Sequence, residues 1–279
     1  MKNNWTLLPK NDWIYVKIYC GQLSVDRVLT NEIVPIINEY NNDILNWFFL
    51  KYYDPDHHLR IRFKFKSNNN QQSFVATLLG KLKFYIDNYL IWKVAFDTYN
   101  PELNRYAYFP MEITERLFQL DSVTYIENIP LFRLEKQRVL YNLSASLYFI
   151  RQFYRGKALI NFVKKMETQY KAEFKLGKKG NNQLSTKYRS LKSEIEKLLD
   201  AEQFDRMITC LTTKDKQQQA ILSNVTPIHP SAKCSFVSSH IHLNTNRTFV
   251  SVPRLYELIT YDFLVRYVRS YAFRTNREL

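Results

Sequence analysis

The chain has 279 residues, of which 46% are apolar and 15% aromatic, and carries a formal charge of +14. That length and composition describe a globular protein with a sizeable core, either one large domain or two intimate subdomains, and exclude a disordered chain. Five glycines and three widely spaced cysteines leave no Walker or GxGxxG loop and no CxxC pair, which argues against a nucleotide cradle and a cysteine-held zinc and for a reducing compartment.

The opening segment, MKNNWTLLPKNDW, has no apolar core of signal-peptide length. No window approaches the ~18–20 apolar residues of a membrane span. A soluble cytoplasmic protein is expected. The positive charge favours an acidic partner (nucleic acid, anionic membrane or a carboxylate-bearing substrate) or simply reflects lysine- and asparagine-rich usage.

Trp13–Tyr19 alternates Ile14, Val16 and Ile18 against Tyr15, Lys17 and Tyr19, the pattern of a strand. Gly21 follows, and Ser24 or Asp26 is placed to cap a helix over Val25–Tyr40, with Val28, Leu29, Ile33, Ile36 and Ile37 at helical spacing. Next comes WFFLKYYDPDHHLRIRFKFK, Trp47–Lys66, which reads as a hairpin turning at Asp54-Pro55-Asp56. Its second strand sets Leu59, Ile61, Phe63 and Phe65 on one face and His58, Arg60, Arg62, Lys64 and Lys66 on the other. A four-residue loop pairing Tyr53 with His58 would put Lys51 opposite Arg60, Phe49 opposite Arg62 and Trp47 opposite Lys64. The result is either the aromatic-walled side of an anion-binding cleft or a basic outer face. After the polar loop Ser67–Gln72, Ser73–Tyr89 carries Phe74, Leu78, Leu82, Tyr85 and Ile86 on one helical stripe, and Ile91–Thr98 is again extended.

The order β-α-β-β-α-β over residues 12–98 is the ferredoxin-like split pattern, with two helices over Leu59, Ile61, Phe63 and Phe65. Beyond residue 110, helical recurrence runs through Glu112–Asn128, Pro130–Tyr154, Ala158–Phe174, Thr186–Leu199, Gln203–Leu222 and Arg254–Phe273. Leu176–Gln183 and Asn224–Lys233 read as loops. The expected fold class is α+β: one domain over 1–279, with a ferredoxin-like region at 12–109 and a mostly helical region at 110–279 packed on it.

Three clusters could carry chemistry. Arg60 and Arg62 share a strand face with Cβ atoms ~7 Å apart, a spacing suited to two carboxylates or a carboxylate and a developing oxyanion. Thr98–Tyr106 leaves a strand end, where functional groups often sit, although Glu102 and Arg105 could simply pair with each other. In Ser238–Arg247, His240 and His242 could sit two apart on a strand as metal ligands, but no third ligand follows, so no metal is expected. A single histidine acting as general acid or base is the better functional reading, and a structural histidine the alternative.

WFFLKYYDPDHHLRIRF resembles the signature of the C-terminal elimination domain of class I lantibiotic dehydratases, also found as stand-alone thiopeptide-type bacteriocin biosynthesis proteins. Two further blocks agree in order and spacing. One is Asp97-Thr98-Tyr99-x-Pro101-Glu102-x-x-Arg105-Tyr106 followed by Phe118-x-x-Asp121-Ser122; the other is Ser239-x-x-His242-Leu243-x-x-Asn246-Arg247. The resemblance runs from about residue 12 to the C-terminus. It implies that the functional positions of the family fall on Arg60, Arg62, Arg105 and His242, with Lys51, His58, Tyr99, Tyr106, Asn246 and Arg247 as substrate-binding neighbours. Counting back from Asn246-Arg247 selects His242 over His240. Lys51 stands where the family usually has arginine, and Ala107-Tyr108 where Gly-Gly usually follows.

The resemblance implies a lyase that expels glutamate from glutamylated Ser or Thr of a leader-bearing precursor peptide, leaving dehydroalanine or dehydrobutyrine, without a cofactor. The chain is too short for the large glutamylation domain, so a separate glutamyl-tRNA-dependent glutamylation protein, a cyclase and a homodimer are expected, and direct nucleic-acid contact is not. A pyridine synthase joining two dehydroalanines with release of the leader is the alternative within the family. A non-catalytic peptide-binding subunit and a nucleic-acid-binding protein are the alternatives outside it.

Overall fold

Alternating apolar residues build a four-stranded antiparallel sheet in the computed structural model, which describes residues 12–200 and 206–275. The chain divides at Pro101–Glu102 into two compact units.

The first unit contains β1 (Trp13–Cys20), β2 (Ile44–Tyr53), β3 (His57–Phe65) and β4 (Ile91–Asp97), in the order β2-β3-β1-β4. Helix α1 (Gln22–Val28) opens after the extended Gly21, so neither Ser24 nor Asp26 is the cap. It passes through a wider π turn, Leu29–Ile33, into α2 (Val34–Glu39). Pro35 lies just beyond that turn, and its missing N–H leaves a backbone carbonyl upstream without an α-helical donor. Helix α3 (Gln71–Asp87) follows the hairpin. Val28, Leu29, Ile33 and Ile36 are buried together with Leu59, Ile61, Phe63 and Phe65, as the sequence pattern requires.

The hairpin register differs from expectation. Tyr53 pairs with His57, not His58, because the turn holds three residues, Asp54–Asp56; Phe48 therefore faces Arg62 and Leu50 faces Arg60. A slip of one residue exchanges faces. Trp47, Phe49 and Lys51 join the core side, and Phe48, Leu50 and Tyr52 join the cationic side.

The second unit is helical: α4 (Met111–Asn128), α5 (Glu135–Arg151), α6 (Gly156–Glu173), α7 (Lys178–Leu199), α8 (Arg206–Leu222), α9 (Lys233–Thr248) and α10 (Pro253–Thr275). Helix α10 packs against α5, α6, α7 and α9. Pro130 begins a short 3-10 turn, and α5 starts only at Glu135, where Gln137 accepts the Leu134 N–H at 2.7 Å. Helix α7 begins inside the expected loop Leu176–Gln183. The expected helical positions 203–205 lie outside the described residues. The main correction is Ser238–Arg247, which lies within α9, not on a strand. Its polar residues are held inside the unit by neighbours: Asn142 of α5 donates to Thr245 at 3.2 Å and to Thr260 at 2.9 Å, and accepts from Asn244 at 2.9 Å.

The sheet's helix-covered face depends on Phe74, buried with ring centroids 4.8 Å from Phe63, 5.1 Å from Phe65 and 5.3 Å from Tyr40. Phe74→Ala is expected to cost about 3–5 kcal/mol, and Phe74→Leu clearly less. Urea denaturation followed by circular dichroism measures both. An alanine variant as stable as the wild type would show that the ring does not organise this core.

Candidate active site

Arg60 and Arg62 project from β3 on the face away from α1–α3. The Arg60 Nε–H donates to His58 Nε2 at 2.8 Å, and its guanidinium lies 3.6 Å from the Tyr52 ring centroid. His58 is buried, stacked 4.7 Å from Tyr19, and its Nδ1–H donates to the Asp56 carbonyl at 2.8 Å. Burial lowers the His58 pKa, against the opposing pull of that carbonyl. A neutral imidazole therefore accepts from Arg60 and aims it.

Arg62 is only 8% exposed and lies 4.3 Å from the Tyr15 ring centroid, 5.1 Å from Tyr99 and 5.2 Å from Phe48. Trp13 buttresses two of those rings, 4.9 Å from Tyr99 and 5.7 Å from Phe48. Electron-rich ring faces offset part of the desolvation of a guanidinium without neutralising it. Lys17 and Asp97 form an ion pair across β1 and β4, and their hydrogen bond raises the lysine pKa and lowers that of the carboxylate. Two sequence blocks thus meet in the first unit, Arg62 from the hairpin and Tyr99 from the segment after β4.

Lys51 does not join this face. Its side chain is 1% exposed and its ammonium lies 2.7 Å from Asp26 of α1, on the helix side of the sheet. The hairpin register is the cause, and a substrate contact by Lys51 is withdrawn.

In the second unit, Arg105 pairs with Glu102 at 2.8 Å and stays 45% exposed. Tyr106 is buried edge-on to Phe118 at 5.2 Å, with its hydroxyl 3.5 Å from the Ser239 carbonyl. Burial pushes its phenol well above the usual range.

Helical geometry separates the residues of the third block. His240 and His242 are about 200° apart around α9, so they cannot share a ligand. His242 is 25% exposed, and its Nδ1–H donates to Glu257 of α10 at 2.8 Å. One turn along, Asn246 donates to His242 Nε2 at 3.1 Å. The buried Glu257 carboxylate also accepts from the Tyr170 hydroxyl and from Arg254, whose Nη1 is 3.3 Å from each oxygen. Arg254 in turn pairs with Glu173. His242 thus has a fixed ring, a carboxylate behind it and partial access to solvent, the arrangement a proton-transferring histidine requires.

Arg247 and His240 turn inward instead. Asp121 of α4 lies 2.6 Å from Lys214 Nζ, 2.7 Å from His240 Nε2 and 3.1 Å from Arg247 Nη1, all of them buried. Burial alone would raise the Asp121 carboxyl, but these three neighbours hold it far below the usual range. His240 stacks 3.7 Å from Phe149, and its pKa is lowered first by burial, with Lys214 and Arg247 opposing a further positive charge. Arg247 is therefore a packing residue paired to Asp121 and lacks the exposure a substrate contact needs.

Sequence reasoning missed Glu257, Arg254, Tyr170 and Lys214 as partners in these networks. Four residues, 249–252, separate α9 from α10, and a short helix–helix turn brings residues equidistant from it together. That signal brings His242 near the first turns of α10, where Glu257 lies, but it is lost when residues 238–247 are read as a strand. Among the described residues, no group of three His, Cys, Asp or Glu side chains gathers as a metal would need, and no helix is long and apolar enough to cross a membrane.

The fold is that of an α+β protein, a small antiparallel sheet with its helices followed by a helical unit. The solved tRNA-dependent lantibiotic dehydratase MibB from Microbispora sp. 107891 superposes with a TM-score of 0.72 at 18% identity, over 96% of this chain and 29% of that one. The pyridine synthase TbtD from thiomuracin biosynthesis gives 0.58 at 9% identity, over 91% of this chain and 97% of that one. The sequence profile for the C-terminal region of lantibiotic biosynthesis dehydratases matches residues 13–268, and the chain belongs to that family. It is 27% identical to the subtilin biosynthesis protein SpaB of Bacillus subtilis over 176 residues, 60% of this chain and 17% of SpaB. It is 31% identical to the nisin biosynthesis protein NisB of Lactococcus lactis subsp. lactis over 118 residues, 41% of this chain and 11% of NisB. The chain thus aligns with less than a fifth of either curated relative.

Two outcomes follow from the geometry. His58 and His240 titrate below the unfolded value of about 6.5, so protonation favours the unfolded chain. Stability is held above about pH 6.5 and lost as pH falls from there toward the folded pKa values; Asp121 adds its own loss only below about pH 4. The urea midpoint should fall between pH 7.5 and 5.5, and less steeply in His58→Gln; an unchanged midpoint would mean that both rings titrate alike in the folded and unfolded chain. The bonds around His242 also place a proton on Nδ1, toward the Glu257 carboxylate, and turn the Asn246 amide N–H toward Nε2. Long-range nitrogen–proton NMR of the imidazole reads this directly, and a proton on Nε2 would reverse the assignment.

Proposed function

We propose that this protein eliminates glutamate from glutamylated Ser and Thr residues of a leader-bearing ribosomal precursor peptide, leaving dehydroalanine and dehydrobutyrine. The observation that carries the proposal is family membership across residues 13–268, with Arg60, Arg62, Arg105 and His242 all present at the motif positions. In the reaction a base removes the Cα proton, the C–H electron pair becomes the Cα=Cβ bond, and the Cβ–O bond breaks with its electrons on the departing glutamate. Charge develops first on the peptide carbonyl and then on the leaving carboxylate.

Fixed guanidinium groups suit both needs, because they stabilise developing charge without reorganising. Arg60 and Arg62 are assigned to the glutamyl carboxylate and the developing charge, with His58 and Tyr99 holding them. Arg105 is a further charge-stabilising group and would exchange Glu102 for substrate. His242, steadied by Asn246, moves a proton. Tyr106 supports the backbone beside Arg105. The strand order β2-β3-β1-β4 supports the ferredoxin-like assignment of the first unit, and both units together are proposed to act as one elimination domain in the cytoplasm. Glutamylation, which supplies the glutamyl ester from glutamyl-tRNA, precedes this step, and ring closure follows it. The chemistry asks for no cofactor.

A second reading, cycloaddition of two dehydroalanines with leader release, is favoured by one observation. The fold is shared with the pyridine synthase TbtD, at a TM-score of 0.58.

Incubating the purified protein with a precursor peptide glutamylated at Ser or Thr, and following its mass, separates the two readings. Loss of glutamate is expected. Arg62→Ala should lower kcat/KM by about 10²–10³ and His242→Ala by about 10²–10⁴, while Arg62→Lys keeps charge but not the planar fork and should recover only part. An unchanged glutamylated peptide, together with ring formation and leader release from a dehydroalanine-bearing one, would replace elimination by cycloaddition.

A further inference from the structure

Glu257 of α10 is fully buried, and a carboxylate out of water is unfavourable unless donors meet its charge. Here both oxygens are met. Oε1 accepts from the His242 Nδ1–H at 2.8 Å, and Oε2 accepts from the Tyr170 hydroxyl of α6. Arg254 reaches across the two, with Nη1 3.3 Å from each oxygen and 2.7 Å from the Tyr170 hydroxyl. Tyr170 keeps the proton it donates, because burial and then the Glu257 charge push its phenol well above the usual range.

The guanidinium is itself held. Its Nε–H donates to Glu173 of α6 at 3.1 Å, Nη2 pairs with the same carboxylate, and its central carbon lies 4.5 Å from the Tyr170 ring centroid. Groups on α6 and α10 thus fix Glu257 from behind and turn one oxygen toward α9. Arg254 and Tyr170 would satisfy a glutamate whose task is structural. The contact such a task does not call for is the one to His242, a partly exposed ring on another helix. A carboxylate there holds the proton on Nδ1, so that Nε2, now 3.1 Å from the Asn246 amide, is the nitrogen that exchanges protons with a reactant. It also compensates the imidazolium through which His242 passes in either direction of transfer.

We infer that Glu257 is a positioning residue for proton transfer by His242, with Tyr170 and Arg254 as the clamp that aims its carboxylate. The part His242 plays in the reaction rests on the elimination reading above; the orientation of its ring is independent of it.

Two measurements on the full chain test the role. Glu257→Gln keeps the shape of the side chain, removes its charge, and leaves an amide that can accept or donate. Long-range nitrogen–proton NMR in alkaline buffer should find the His242 proton on Nδ1 in the wild type and shared between both nitrogens in the variant. On a precursor peptide glutamylated at Ser or Thr, kcat for glutamate release should fall by about 10²–10⁴. KM should change little, the split expected when an interaction of the transition state is lost. Tyr170→Phe loosens the carboxylate without touching its charge and should lower kcat by about 10 to 10²; it decides the matter if Glu257→Gln does not fold. Wild-type kcat in both variants, or an Nδ1 proton fully retained in Glu257→Gln, would overturn the role. A wild type that releases no glutamate would instead sink the elimination reading, and the NMR comparison would still decide for or against Glu257.

Discussion

Side chains along a β-strand alternate every two residues, so the pairing of Tyr53 with His57 determines the chemistry of an entire sheet face. It brings Phe48 and Tyr52 alongside Arg62 and Arg60, and it sends Lys51 through the sheet to Asp26. With one more residue in the turn, Lys51 would stand beside Arg60 and the ring under Arg60 would be gone. A length difference in a surface turn thus decides whether the two arginines are flanked by aromatic rings or by another cation.

The protein manages buried positive charge in two ways. Around Asp121, Lys214 and Arg247 are matched by a carboxylate at direct contact distance, which satisfies the charges and leaves them nothing further to bind. Around Arg62 three aromatic rings gather, and their electron-rich faces lower the cost of desolvation. Arg60 is a third case, oriented by a neutral imidazole and a ring. The aromatic setting of Arg60 and Arg62 and the direct carboxylate contact of Arg247 set the two groups apart.

Much of the first unit was legible because period-two alternation and a helical stripe are local signals. Ile14, Val16 and Ile18, and likewise Phe74, Leu78 and Leu82, could be read without knowing what they pack on. The hairpin register was not legible, since the strands on either side of Asp54-Pro55-Asp56 are apolar and aromatic enough to tolerate either face. The segment from Ser238 to Arg247 misled for a different reason. Its polar residues, Asn244, Thr245 and Asn246, weaken a helical apolar stripe, yet all are buried among partners such as Asn142 and His242. A helix whose inner face is polar looks like an exposed strand or loop until its neighbours are known.

The same helix shows why a matched motif does not assign roles uniformly. His242, Asn246 and Arg247 stand together in one sequence block, but a turn of 3.6 residues puts the first two on one side and the third about 100° away, facing Asp121. The block therefore holds two functions at once. Arg247 ties α9 to α4 through a buried ion pair, and that anchoring fixes the rotation of α9 about its axis. The rotation in turn presents His242 to Glu257 with its second nitrogen toward Asn246. Arg247 thus bears on the placement of His242 by holding the helix, and its loss would free the rotation that sets the imidazole.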